Sequence, residues 1–426
     1  MLLTWSGRKS LVNIKAVSTT LVVAVLVIAV VAGVGVYLAI QQLSAPTVAE
    51  KPLVIGFSIS ISGDFAVPGR KQLEGIELWK DWINSKGGIY VKDQNKYYKV
   101  ELKYYDDKSS KDEVIRLYEK LINEDKVDIL LSPYSSTLAL TAAGITEKYG
   151  RLMVVVGANS DTIFKQGYKN IVGTYTPASK MLTQAIDILL EKVQNPSVAI
   201  IFKDDAFAKS VAEGAKAYAE QKGVNVVAFE MYPRDAKDLS PILTKIKGLN
   251  VDAILGGGHY EDEVLLVRQA KELGINVKLM SLLVSPSLPA FYDALKETSE
   301  GILAPSHWEP QTKPKITYGP TIDEFMTQFR QKWNSEPSYH SAAAFAAGLY
   351  ITAAIEKAGT LDNAKLRAAF NDLDITTFYG RLKIDPATGN QVGHELVLLQ
   401  WQGGKKQVVW PREVATAQLI FPKPSW

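Results

Sequence analysis

Three loops in this chain combine residue types that could hold a small polar molecule. Ser132-Pro133-Tyr134-Ser135-Ser136-Thr137 joins a strand to a helix, and hydroxyls with free backbone N–H groups at a helix start suit an anionic group such as a carboxylate. Gly157-Ala158-Asn159-Ser160 follows the next strand with the same small, hydrogen-bonding chemistry. Gly257-Gly258-His259-Tyr260-Glu261-Asp262 ends a later strand; its glycines permit close approach, and an acid there could pair with a cation. Each loop also has an ordinary structural use. Ser and Thr cap helices, and acids in a first turn complement the helix dipole. Phe65, Tyr134, Tyr175, Phe207 and Tyr260 fall at comparable loop positions and could sandwich a substrate or simply pack.

Other chemistry is excluded. Cysteine is absent, so there are no disulfides, thiolate metal sites, cysteine nucleophiles or lipidated cysteine. No phosphate loop, strand-linked G-x-G-x-x-G, G-x-S-x-G elbow or H-E-x-x-H occurs. His259, His307, His340 and His394 are dispersed, with no pair at metal-ligand spacing, and read as structural or surface residues. Neither a metal, a cofactor nor an enzyme activity is expected.

The elements that position these loops alternate. From Leu53 onward, short β-rich runs exchange with segments of helical period, the pattern of βαβ units and a parallel sheet. Strands are expected at 53–59, 100–105, 127–131 and 152–156. Leu73, Ile76, Trp79 and Ile83 mark one buried helix face, stopped by Gly87-Gly88, and helices follow at 113–122 and 137–149. A second series places helices at 180–193, 207–222, 239–247 and 263–273 between strands at 198–202, 224–229, 251–255 and 277–283. The Pro-rich stretch 304–320 reads as a crossover. Helices at 321–333 and 340–357 follow, the second with Ala342, Ala343, Ala346 and Ala347 for close packing, and then short β-runs.

The length of 426 residues allows two cores, and the net charge of +3 with interspersed signs argues against a nucleic-acid partner. Arg8, Lys9 and Lys15 precede an apolar stretch from Leu21 to Ile40. A bilayer core of about 30 Å needs roughly 20 apolar residues of helix, and positive residues stay inside. An uncleaved N-terminal transmembrane helix is therefore expected in preference to a signal peptide, whose apolar region is about 7–15 residues. The rest of the chain would lie outside the cell membrane.

In order, Ile59-Ser-Ile-Ser-Gly-Asp-Phe65, Asn84-Ser-Lys-Gly-Gly-Ile89, Tyr104-Tyr-Asp-Asp107, Ser135-Ser-Thr137, Gly157-Ala158, Gly257-Gly258 with Arg268-Gln269-Ala270, and Leu399-Gln-Trp-Gln402 before Trp410-Pro411 form a recognisable series. From about Lys51 to the C-terminus the chain resembles the type I periplasmic-binding-protein superfamily, in its branched-chain amino acid and amide receptor branch that feeds ABC importers. The resemblance implies an α/β fold of two doubly wound Rossmann-like lobes joined by three crossovers. Residues 51–174 and 305–390 would form lobe 1, residues 175–304 and 391–426 lobe 2, after a tether and anchor over 1–50. It implies a small-molecule ligand, an amino acid, amide or similar solute, held between the lobes and delivered to a permease. Ser135, Ser136, Ala158 and Asn159 would hold a carboxylate and Asp262 an ammonium, with Phe207 as an aromatic wall. Tyr134, Tyr260, His259 and Phe65 complete the expected site. Asn159 stands where Thr or Ser is common, His259 replaces an aromatic, and Pro68 lies where an aromatic often does, so the role transfers better than the substrate. A ligand-sensing ectodomain is the alternative, disfavoured because few residues precede the apolar segment.

Overall fold

A computed structural model describes residues 45–426 together with scattered positions between 23 and 34. Of the segment expected to cross the membrane, 21–40, eight residues are described and the other twelve lie outside the described residues. Among the described residues no helix is long and apolar enough to span a bilayer.

The chain first builds β1 (Leu53–Ile59), α1 (Ala66–Ser85), β2 (Val100–Asp106), α2 (Lys111–Asn123), β3 (Ile129–Leu131), α3 (Ser136–Lys148), β4 (Met153–Val155) and β5 (Ile171–Gly173). The strands form one parallel sheet in the order β2-β1-β3-β4-β5. β1, β3 and β4 are apolar along nearly their whole length because helices cover both faces. At the end of α1, Gly87 and Gly88 adopt φ of 105° and 101°, a region open to glycine at little cost, and Gly88 N donates back to Ile83 O.

A second sheet follows, from α4 (Thr183–Lys192), β6 (Ser197–Lys203), α5 (Ala206–Gln221), β7 (Asn225–Tyr232), α6 (Ser240–Leu249), β8 (Ala253–Gly257), α7 (Tyr260–Glu272), β9 (Leu279–Ser281) and β10 (Leu303–Ser306). The chain then returns to the first sheet with α8 (Ile322–Trp333) and α9 (Tyr339–Ala358), and crosses again to add β11 (Val397–Gln402) and β12 (Lys405–Trp410). The second sheet runs β7-β6-β8-β9-β10-β11-β12, with its last two pairings antiparallel. One apolar cluster takes in residues from Leu53 to Tyr175 and from Trp308 to Ile384. Two further clusters on the second sheet use residues 178–303 and 396–409, sharing the two faces between them.

Most elements fall within a few residues of expectation. β5 and two short helices, Pro289–Leu295 and Asn363–Asn371, have too few periodic residues to be read in advance. α7 starts three residues before Glu263 because the Asp262 carboxylate accepts from His259 N at 3.0 Å and caps it earlier.

α9 is buried along almost its full length against α1. Two glycines set the approach: a Cβ on Gly75 would lie 2.0 Å from Ser341 O, and one on Gly348 would lie 2.0 Å from the Trp79 ring. Gly348→Ala should therefore lower stability in urea denaturation, since overpacking costs about 1–3 kcal/mol against about 1 kcal/mol returned by helix propensity. Gly248, with no atom in the way, provides the contrast. Gly248→Ala should stabilise by about 0.5–1 kcal/mol, and equal effects at the two sites would refute the steric account.

Candidate functional site

The two halves are joined by three passages. They lie between β5 and α4, between β10 and α8, and between the hairpin strand Gly380–Lys383 and β11. Tyr175, His307 and His394 come one from each, and their rings form a series. Tyr175 and His307 have centroids 4.3 Å apart, His307 and His394 5.9 Å apart. His394 Nε2 lies 2.7 Å from His307 O; a carbonyl only accepts, so this nitrogen carries the proton. Thr176 Oγ1 donates to His394 O, tying first passage to third.

In front of this series the halves meet. Tyr134 Oη lies 3.3 Å from His259 Nδ1, Ala206 N donates to Thr137 Oγ1, Ser210 Oγ donates to Asp161 Oδ2, and the Phe65 ring lies 4.7 Å from the His259 ring. The lobes are closed on each other. Between them remains a cavity of about 10 Å³, room for about one water.

The first lobe's side of the cavity is built from the two serine-rich loops. Ser135 sits at φ 78°, its Oγ accepting from Leu138 N to cap α3, and its N donates to Gly157 O. Ser136 Oγ accepts from Asn159 N and Ser160 N at 3.1 and 3.0 Å, and Ser132 Oγ exchanges hydrogen bonds with Val156. These hydroxyls bind one loop to the other. The Asn159 amide donates to Thr176 O and faces Met181 Sδ. Tyr339 and His340, at the start of α9, complete this side, their rings stacked at 4.0 Å. Phe207, His259 and Val284 line the opposite side.

The expected residues divide accordingly. Tyr134, Ser135, Ser136, Asn159, Phe207 and His259 line the cavity. Ala158 is buried, and Phe65 is not in the lining but packs against the lining residues His259 and Tyr134. Tyr260 points into its own lobe, its hydroxyl donating to Ala290 O. Asp262 is not the free, exposed carboxylate that holding an ammonium requires: both its oxygens lie 3.0 Å from Lys203 Nζ, with both residues buried, and Oδ2 also caps His259. Position in the sequence could not reveal Lys203 as partner, 59 residues away.

The other acids nearby are equally engaged. Asp205 caps α5 through Phe207 N and Ala208 N, and its Oδ2 lies 3.1 Å from His259 Nε2. Burial opposes its ionisation, but His259, the amides and Lys203 together hold its pKa below the usual range. Glu263 accepts from the amides of Leu283, Val284 and Ser285; burial pushes it up to about 7 against those bonds.

The histidines, dispersed in sequence and expected to be structural or surface residues, are all buried and lie near one another in space. His259, His307 and His340 line the cavity, and His394 lies behind His307. Burial drives His307 well below its ordinary pKa, His340 to about 3 and His394 to about 4, so these three rings are neutral near pH 7. No group of acids and histidines suited to a metal ion occurs among the described residues. His307, His340, Tyr339, Met181 and Val284 were not expected at the site; they follow a proline-rich stretch, a helix start and two apolar runs, where nothing in the local pattern signals a ligand.

Two α/β lobes, linked by three passages and closed over a buried polar and aromatic cavity, define a bilobal ligand-binding protein. Residues 52–406 match the family described as periplasmic binding protein, and the chain belongs to that family. It is 24% identical over 399 residues to Leu/Ile/Val-binding protein homolog 7 of Brucella suis, covering 89% of this chain and 96% of that one. The branched-chain amino acid transporter substrate binding protein LivJ of Streptococcus pneumoniae, solved with isoleucine, superposes with a TM-score of 0.72 at 23% identity, covering 87% and 100% of the two chains. A solute binding protein of an ABC transporter from Rhodopseudomonas palustris, in complex with 3,4-dihydroxy benzoic acid, gives 0.72 at 18% identity over 89% and 98%.

Proposed function

We propose that this chain is the extracytoplasmic receptor of an ABC importer, closing its lobes on an amino acid or related small polar solute and presenting the closed form to a permease. The observation that carries the reading is the cavity of about 10 Å³, buried and lined by residues of both lobes, which is where hinge closure of two lobes would enclose a solute. No bond is made or broken in this role. Ser135, Ser136, Asn159, Tyr134, Phe207 and His259 would touch the solute, and the segment 21–40 would hold the receptor at the membrane.

The test uses the full chain, fractionated from its own cells. It should remain with membranes after a high-salt wash, and heating the purified protein should release one small molecule in near-stoichiometric amount, identifiable by mass spectrometry. Recovery with the soluble fraction would remove the anchor, and turnover of the released molecule by the refolded protein would replace receptor with enzyme.

A further inference from the structure

We infer that the solute this cleft accepts is an uncharged, planar ring carrying adjacent hydrogen-bond donor and acceptor groups, read chiefly by His340 and His307, and not a free amino acid. The inference rests on the receptor reading and narrows it.

The first argument is charge. An α-amino acid brings an ammonium and a carboxylate into a closed site, and a buried charge without a partner is expensive. No Asp, Glu, Lys or Arg side chain lines the cavity, and of its three histidines His259 faces Asp205. The three acids around it are committed, Asp205 to His259 and the α5 amides, Asp262 to Lys203 and His259 N, and Glu263 to three backbone amides. The nearby cations are committed too, Lys203 to Asp262 and Lys406 to Glu309. An arriving ammonium would find hydroxyls and rings, and no carboxylate free to meet it.

The second argument is the polar atoms left over. Both nitrogens of His340 and Nδ1 of His307 are buried without a hydrogen-bond partner, in residues 0% and 2% exposed. Buried polar groups are almost always satisfied, and exceptions mark functional positions. A neutral imidazole offers one N–H donor and one lone-pair acceptor on opposite edges of its ring, so each ring presents a single group to a solute, and His340 and His307 together ask for one that carries both a donor and an acceptor, as an amide or lactam edge does.

The third argument is shape. Tyr339 stacks on His340 at 4.0 Å and the Tyr175 ring lies 4.3 Å from that of His307, tilted by 35°, while Phe207 and Tyr134 add two more rings to the lining. Flat walls favour a flat occupant, entering when the lobes part.

Five probes at about millimolar concentration test the inference by thermal shift: uracil, nicotinamide and hypoxanthine as neutral donor–acceptor rings, leucine as a zwitterion and benzoate as an anion. At least one neutral ring should raise the melting temperature by more than about 2 °C, and the rise should vanish in His340→Phe, which keeps a ring and removes both nitrogens. His340→Gln, which restores a donor and an acceptor, should recover part of it and guards against a folding defect in the first variant. A shift with leucine or benzoate would overturn the inference and leave the receptor standing. No shift with any neutral ring would also overturn it, while the receptor reading is decided separately by the molecule released on heating.

Discussion

Asp262→Ala should destabilise the unliganded protein by about 3–5 kcal/mol, the usual cost of breaking a buried ion pair by removing one partner. The carboxylate faces Lys203 Nζ through both oxygens and caps α7 through His259 N. Alanine would leave Lys203, at the end of β6 and itself 4% exposed, without the carboxylate it is hydrogen-bonded to. Lys203→Met alone should cost a comparable amount, whereas Lys203→Met with Asp262→Leu removes both charges together and should cost far less than the sum of the two, because isosteric apolar replacement of a buried pair is often neutral. Urea midpoints of the four proteins form a double-mutant cycle. Additive losses would show that the two groups do not interact, and a stable Asp262→Ala that had lost only solute binding would return the acid to the role first expected of it.

Acidification from pH 7 to pH 5 should weaken the fold. His340 and His394 are held at about 3 and about 4 by burial, with His307 lowered for the same reason, against about 6.5 in an unfolded chain. Their neutral forms face Tyr134, Tyr339 and His259 in the case of His340, and Tyr175, Tyr379 and one another in the cases of His307 and His394; Lys406 also disfavours charge on His340. The stability due to such depressed bases is present above pH 6.5 and is lost as pH falls toward the folded values. At pH 5 the loss is about 2 kcal/mol for each of His340 and His394. Glu263 acts in the opposite sense. Raised to about 7, it favours the folded form more as pH falls, returning about 2 kcal/mol over the same interval. The imidazoles win, and His307 adds to their side. Urea midpoints at the two pH values measure the difference, and His340→Phe should reduce it. A midpoint that rises on acidification would mean that Glu263 outweighs the three rings.

The alternation of strands and helices was legible because each buried element carries its own period. The run Leu53–Ile59 and the stripe Leu73, Ile76, Trp79 and Ile83 announce a strand and a helix without help from anything distant. The first lobe's half of the site was legible for a related reason: in doubly wound sheets the loops at strand ends bind ligands, and Ser135, Ser136 and Asn159 occupy two of them. Asp262 shows where such reasoning stops. Its neighbours in sequence fit both an ammonium site and a helix start, and the choice is made by Lys203, at the end of β6, five elements earlier. His307 and His340 were missed for the same cause. Each is alone in its own segment, and only the returning chain brings them to one cavity.

The packing of α9 on α1 has a bearing on how the chain comes to be folded at all. Trp79 is covered by the backbone of Gly348, so the first sheet lacks part of its own core until nearly 270 later residues have been made. Contacts of such long sequence separation slow folding, and here they also postpone it: the N-terminal half cannot close its core while the chain is still emerging. A protein that must pass through a membrane as an extended thread gains from that delay, because the residues that would lock it shut arrive last.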